Sequence, residues 1–430
     1  MNFPYFIAKK VSFSGKNNFS RLIIRIAIVA IALSMTVMIA SNSLIQGFKS
    51  EITTKIFGFW GHIHINDNNY IRSSEAKPIS VNQDFYPSLA DVEYVEYSGK
   101  NGDYDFLGKG NRSKAGISHI QRYGLKEGIL ETDSDIEGII LKGIWTDYNW
   151  DFLEQYMVDG SVIHFPENDM SRDILISEST SKRLKLKTGD RLTVNFLGKN
   201  NQEIKRRMSV CGIYKTGLEE YDKRFALVDL RQVQKLLGWS EGEVGGFEVF
   251  IEDIDDLDVY RYYLTEERLP LKLYAESIRF KFPGIFEWLE LQNINEVVII
   301  LLMILVSIIN MVTALMILII ERTQMVGILK SLGETDWRIR KIFLYYAAYI
   351  IGLGMIWGNV VGIGICLLQK HFGFIKLSEK DYYMSTAPVA LDFLTIVGLN
   401  IGTMIITLIF LVVPSYLVTS IQPVKALRFK

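Results

Sequence analysis

Four stretches of the chain are apolar and carry no charged side chain: residues 26–48, 297–320, 342–369 and 394–418. Arg25 and Lys49 bound the first, Glu296 and Glu321 the second, and Lys341 and Lys370 the third; the fourth follows Asp392. A bilayer crossing needs about 20 predominantly apolar residues. A soluble core helix rarely stays uncharged on every face over such a length, so the pattern predicts four membrane-spanning helices. A cleaved signal peptide competes for the first stretch, where Ala40, Ser41 and Ser43 are small enough for a processing site. The long polar lead and the length of the apolar run favour a retained anchor.

Between the first two spans, residues 49–296 change periodicity repeatedly. Phe48, Ile52 and Ile56 continue a helical stripe until Gly58 and Gly61 break it, and His62 to Ile65 then alternates as a strand does. Residues 67–84 read as loop, 136–143 as a strand and 145–165 as a turn-rich stretch. Short strands are predicted at 174–177, 226–229 and 246–252, with helices at 178–186 and 230–237. Strands at 191–197 and 205–214 flank the polar connection Gly198 to Asn201. A charged amphipathic helix is predicted at 254–267, and Pro283-Gly284 precedes a second helix leading into Val297. The expected fold is membrane α-helical, with four transmembrane helices and a large extracytoplasmic α+β domain inserted between helices 1 and 2.

Charge orients this arrangement. Residues 1–25, 321–341 and 419–430 together hold 13 basic and 3 acidic residues, whereas the stretch between the first two spans holds 31 basic and 42 acidic. Short positive segments stay in the cytoplasm. Both termini and the 321–341 loop are therefore expected inside, and 49–296 and 370–393 outside, with residues 1–25 forming an amphipathic segment in contact with membrane lipid. The net charge of -1 gives no bulk attraction to nucleic acid. The only two cysteines, Cys211 and Cys366, fall in unlike surroundings, which excludes a disulfide framework.

Catalytic patterns are missing. His62 and His64 share a strand face but lack a third metal ligand nearby, so a structural role is the better reading. Asp253, Asp255, Asp256 and Asp258 lack the mid-loop glycine and closing glutamate of a calcium loop, and read as a solvated helix start. Ser34, Ser41 and Ser43 have no base, and no Gly-Lys-Ser/Thr loop cradles a phosphate. The chain is expected to be no enzyme and to hold no catalytic residue, cofactor or metal. The spans contain no carboxylate, lysine or histidine at depth, which argues against ion-coupled transport and toward an amphiphilic cargo.

Other features are mechanical. Gly354, Gly358 and Gly362 form a row that admits a neighbouring helix, within this chain or in a second subunit. Between spans two and three, Met325, Ile328, Leu329, Lys330 and Leu332 lie on a short helical pattern that Gly333 ends; Thr335 or Asp336 can cap the next helix. Such a helix suits a groove on a soluble partner, or a turn at the membrane surface. Met35, Met38 and Met311 offer adaptable apolar surface, either for acyl chains or for ordinary helix contact.

Several of these segments, in order, resemble the FtsX/MacB-type permeases of ABC transporters: Glu321-Arg322-Thr323, Gly327 to Gly333, and Pro423 to Arg428. Further segments narrow the resemblance to the lipoprotein-releasing permeases of the Lol system. These are Gln46 to Lys49, Leu186 to Arg191, Val210 to Gly217, Glu220-Tyr221-Asp222 and Gly246 to Val249; residues 68–128 match least. The resemblance implies an inner-membrane complex of two permeases, identical or paralogous, with ABC ATPase subunits that hold ATP and magnesium. The 321–341 loop would couple to the ATPase. The cargo would be a lipoprotein, drawn from the outer leaflet and handed to a periplasmic carrier. In this family the hairpin before the Val-x-Gly-Ile strand can grip the carrier. Here that hairpin is Leu197 to Arg207, whose Gly198, Lys199, Asn200, Lys205, Arg206 and Arg207 are the contact candidates; it is shorter and lacks the family's prolines. Two relatives in fold imply other work: a MacB-like exporter of peptides or drugs, and an FtsX-like relay to a cell-wall hydrolase.

Overall fold

The computed structural model describes residues 18–68, 77–100, 103–106, 110–132, 135–167, 169–197 and 202–421. Residues 1–17 of the amphipathic N-terminal segment, the Pro423 to Arg428 motif and the hairpin residues Gly198, Lys199 and Asn200 lie outside them, whereas residues 18–25 of that segment begin the first long helix. Chain contacts divide the protein into two compact units. Among the described residues, one comprises 18–51, 287–376 and 386–421; the other comprises those within 52–286 and 377–385.

The first unit is helical. Among the described residues, four helices are long and apolar enough to cross a membrane. They are α1 (Asn18–Trp60), α2 (Pro283–Glu321), α4 (Asp336–Phe372) and α5 (Phe393–Ser415), with the shorter α3 (Thr323–Ser331) between the second and third. At 1.5 Å per residue the 43 residues of α1 extend roughly 64 Å, about twice the hydrocarbon thickness of a bilayer. The helix does not stop at Gly58, as its sequence suggests. A Cβ there would lie 2.2 Å from the ring of Phe152, so the glycine serves close packing inside the helix. Gly61, at φ +73°, ends it. Pro283 opens α2 at the first helical position, where its missing N–H costs nothing.

The helices pack through small residues and buried amides. A Cβ on Gly354 would lie 2.7 Å from that of Ile31, and one on Gly358 would lie 2.6 Å from that of Met35. The Thr36 hydroxyl donates to the Gly358 carbonyl at 3.2 Å. Asn359 and Asn400 exchange amide hydrogen bonds of 2.7 and 2.9 Å between α4 and α5. The Glu296 carboxylate, buried on α2, accepts from the amides of Asn42 and, at 3.1 Å, Gln46 on α1. From sequence Glu296 marks the limit of a span; in the fold its turn of helix is packed, because two amides of α1 satisfy the carboxylate.

The second unit is built on strands β1 (Ile63–Asp67), β2 (Ile79–Ser80), β3 (Glu96–Lys100), β4 (Asp103–Asp105), β5 (Asn111–Arg112), β6 (Ile117–Glu131), β7 (Ile136–Ile144), β8 (Met157–Gly160), β9 (Asp173–Ser177), β10 (Arg191–Leu197), β11 (Glu203–Tyr214), β12 (Phe225–Asp229), β13 (Glu243–Val244), β14 (Gly246–Ile251) and β15 (Leu273–Ser277). The main sheet runs β10-β11-β9-β12-β7-β6-β14-β1-β15, and β10 also pairs with β6. The first six strands therefore close into a ring. Its pairs are antiparallel except β9 with β11 and β7 with β12. Leu130, Leu141, Val194, Phe196, Met208 and Val210 are buried in these strands.

The sequence pattern leaves β6 undetected, because Gly124 and Gly128 interrupt a strand of fifteen residues. Each glycine admits a neighbour: a Cβ at Gly124 would lie 2.9 Å from Leu230, and one at Gly128 would lie 2.7 Å from the Phe196 ring. The stretch 145–165, expected as turns, contains the one-turn helix Asp151–Glu154 and β8. The continuous helix expected at 254–267 instead divides into a 3-10 turn at Ile254–Asp256, an α-helix at Leu257–Tyr263 and a π-turn at Leu264–Arg268. Asp256 accounts for the first break, since its side chain accepts from the Lys114 and Ala115 N–H groups at 2.6 and 3.1 Å.

Candidate functional site

The corner between α3 and α4 is set by its glycine. Gly333 adopts φ +87°, Gly333 N–H bonds the Lys330 carbonyl, and Glu334 N–H bonds that of Leu329, each at 3.0 Å. This is the Schellman closure of a helix. Thr335 then occupies the N-cap of α4 through its backbone; its side chain makes no capping bond.

The expected coupling residues divide between two faces. Val326 and Leu329 are buried, and Met325 packs against the same core. Lys330 turns inward: its ammonium donates to the carbonyls of Thr419 and Ile421 at 3.2 and 3.0 Å and pairs with Asp336 at 2.9 Å. Ile328 and Leu332 remain 49% and 78% exposed, beside a half-exposed Trp337. The corner thus offers Ile328, Leu332 and Trp337 outward, while Leu329 and Lys330 hold its shape. Trp337 escapes the sequence reading because it belongs to the next helix.

The other expected residues fall elsewhere. Gly354, Gly358 and Gly362 all face α1. Met35 and Met38 are fully buried among helices, with the Thr403 hydroxyl 3.9 Å from the Met38 sulfur. Met311 is buried too, and borders a small pocket with Ile23, Leu315 and Tyr346. In the second unit, Lys205 pairs with Glu203 at 3.4 Å and Glu131 at 3.8 Å; Arg206 and Arg207 lie opposite Val194 and Thr193. Among the described residues no three His, Cys, Asp or Glu side chains gather as metal ligands.

Sequence reasoning missed the polar group at the end of α1. Two terminal carbonyls of this helix are captured: that of Phe59 by the Lys142 ammonium at 2.5 Å, that of Trp60 by His64 Nε2–H at 2.6 Å. His64 Nδ1 accepts from Lys281 at 3.1 Å, which fixes the neutral tautomer. Lys142 in turn pairs with Glu248 at 2.8 Å, both fully buried, and Gln121 donates to Glu248 at 2.7 Å. Burial opposes both charges of the pair, pushing Lys142 down and Glu248 up, and the partner's opposite charge works against each shift. Burial brings Lys281 down to about 8, and holds His64 well below the usual histidine range. Aromatic rings close around the same helix end, Trp60 meeting Phe225 at 4.9 Å edge-on and Phe282, just ahead of α2, at 5.9 Å. The outcome is a buried, hydrogen-bonded socket for the last turn of α1 and the approach to α2. The signal available in sequence was a lysine amid the apolar run of β7, which reads equally well as an exposed strand residue.

Residues 297–423 match the FtsX-like permease C-terminal family. The chain is 21% identical to the lipoprotein-releasing system transmembrane protein LolC of Neisseria meningitidis, over 99% of this chain and 97% of that one. It is 21% identical to LolE of Haemophilus influenzae over 99% of each, and to LolC of Xylella fastidiosa over 96% of each. A solved structure, the periplasmic region of MacB from Actinobacillus actinomycetemcomitans, aligns with 52% of this chain at 14% identity and a TM-score of 0.32. The chain contains an FtsX-like permease domain and is similar along nearly its whole length to transmembrane proteins of lipoprotein-releasing systems.

Proposed function

We propose that this chain is the permease subunit of an ABC transporter that lifts lipoproteins from the outer leaflet of the inner membrane and passes them to a periplasmic carrier. The observation that carries this reading is the similarity to LolC and LolE proteins across nearly the full length of both partners. A local match to the permease domain alone would suit many cargoes.

The chemistry fits the task. Withdrawing an acyl anchor costs about 0.8 kcal/mol per methylene, so a lipoprotein with several chains does not leave without driven work. This sequence has no phosphate-cradling loop, so ATP and magnesium belong to a partner ATPase. The ATPase docks on Ile328, Leu332 and Trp337. Its closure moves the corner held by Lys330, and the long helices carry the motion into the sheet unit through the socket around Trp60 and Lys142. A second permease, identical or paralogous, completes the cargo chamber, and lipid surrounds the outer helix faces.

The test is copurification with the cognate ATPase, reconstitution in proteoliposomes, and transfer of a labelled lipoprotein to a soluble acceptor. ATP-dependent transfer is the expected result. ATP hydrolysis that leaves every lipoprotein in the vesicles would overturn the reading.

A further inference from the structure

The segment joining the third and fourth spans does more than connect them. Its neck is closed by paired backbone: Ala387 N–H donates to Ile375 and Leu377 N–H to Ser385, both at 3.0 Å, and Lys376 bridges Thr386. Its tip, residues 377–385, packs as part of the sheet unit although the helices on either side do not. The tip contains the one-turn helix Glu379–Tyr382, after which Tyr383 takes a left-handed φ of 60°.

The surface that receives this tip is the turn after β11. Asp222 shapes it, accepting from the Thr216 hydroxyl at 2.6 Å and from Gly217 N–H at 3.0 Å. Gly217 adopts φ +81°, and a Cβ there would lie 2.8 Å from the Tyr383 carbonyl, so glycine is needed for both backbone and space. Lys55, buried on α1, donates to that carbonyl at 3.0 Å. Lys215 pairs with Glu379 at 2.8 Å and with Glu178 at 3.6 Å. The Lys215-Thr216-Gly217 and Glu220-Tyr221-Asp222 motifs thus have a use that the transport reading leaves open.

We propose that the turn Lys215 to Asp222, with Lys55, is a receptor for the tip of the segment between the third and fourth spans, and that the tip stays docked during the cycle. The sheet unit is then driven through three attachments: α1, α2 and this one. The proposal rests on the transport reading for the motion it transmits, while the docking itself does not.

The experiment uses the full chain with its ATPase in membranes, carrying Cys211→Ser and Cys366→Ala. Lys215→Cys and Glu379→Cys are joined by a short bismaleimide, and the bridge is detected after cleavage at a protease site placed in the exposed turn at Leu271. Bridging is expected with and without a non-hydrolysable ATP analogue. Separately, Lys215→Glu is expected to lower lipoprotein transfer several-fold while ATP hydrolysis continues, and Lys215→Glu with Glu379→Lys to restore it. The bridge is expected to restore transfer that the unbridged cysteine pair loses. Absence of bridging in either state, full transfer by Lys215→Glu, or a bridged protein less active than the unbridged pair would each overturn the proposal. If the unsubstituted chain transfers no lipoprotein, the transport reading fails, and bridging still reports docking.

Discussion

At the residue scale, adjacent positions on α3 do opposite things. Fully burying an apolar side chain such as Ile328 or Leu332 gains about 1.5–3 kcal/mol. Ile328→Asp with Leu332→Asp is therefore expected to weaken ATPase capture at least about tenfold while the permease stays folded; copurification at graded salt measures it. Lys330→Ala is expected to do the reverse, lowering thermal stability because two carbonyls and Asp336 lose their partner. The stop at Gly333 was legible because only local backbone chemistry is involved, whereas the inward turn of Lys330 depends on residues about ninety positions away. His62 illustrates a second hidden role. It stacks on Phe57 at 4.3 Å, its Nδ1 accepts from Ile251 N–H at 3.2 Å, and burial lowers its pKa from 6.5 to about 4. Between those values the unfolded chain binds a proton that the folded chain refuses, so this contribution is complete above pH 6.5 and is lost as the pH falls toward 4. Denaturation midpoints measured across that interval should fall less steeply for His62→Phe than for the unsubstituted protein.

At the scale of elements, glycines on two of the long helices have unlike surroundings. Gly358 lies against α1, while a Cβ at Gly402 would meet nothing within 4 Å. Gly358→Leu is expected to cost about 3 kcal/mol or more by forcing packed helices apart, and Gly402→Ala to stay within about 0.5 kcal/mol. Thermal unfolding in detergent separates the two. Four long helices were legible because an uncharged run of twenty residues needs no knowledge of its neighbours. Strand β6 was not, since Gly124 and Gly128 look like turn residues until the Leu230 side chain and the Phe196 ring that they accommodate are in place.

For the whole molecule, the charge asymmetry yields the sharpest expectation. Cysteine at Leu271, 98% exposed, should react with an impermeant maleimide on intact spheroplasts, and cysteine at Leu332 only after permeabilisation. Labelling of both from one side would remove the basis of the transport reading. The general plan of four long apolar helices and an α+β unit was legible from sequence; the mixed pairing and ring closure were not, because β10 meets β6 through partners some sixty residues apart. That join is a short one: Thr193, Val194 and Asn195 face Glu131, Leu130 and Ile129, against eight facing pairs between β6 and β7. Should it part, β6 and β10 would each present unpaired amides and carbonyls over a few residues, the type of border to which another chain's extended segment adheres. The same short fastening that completes the ring would, once opened, be an edge that a foreign strand could lengthen.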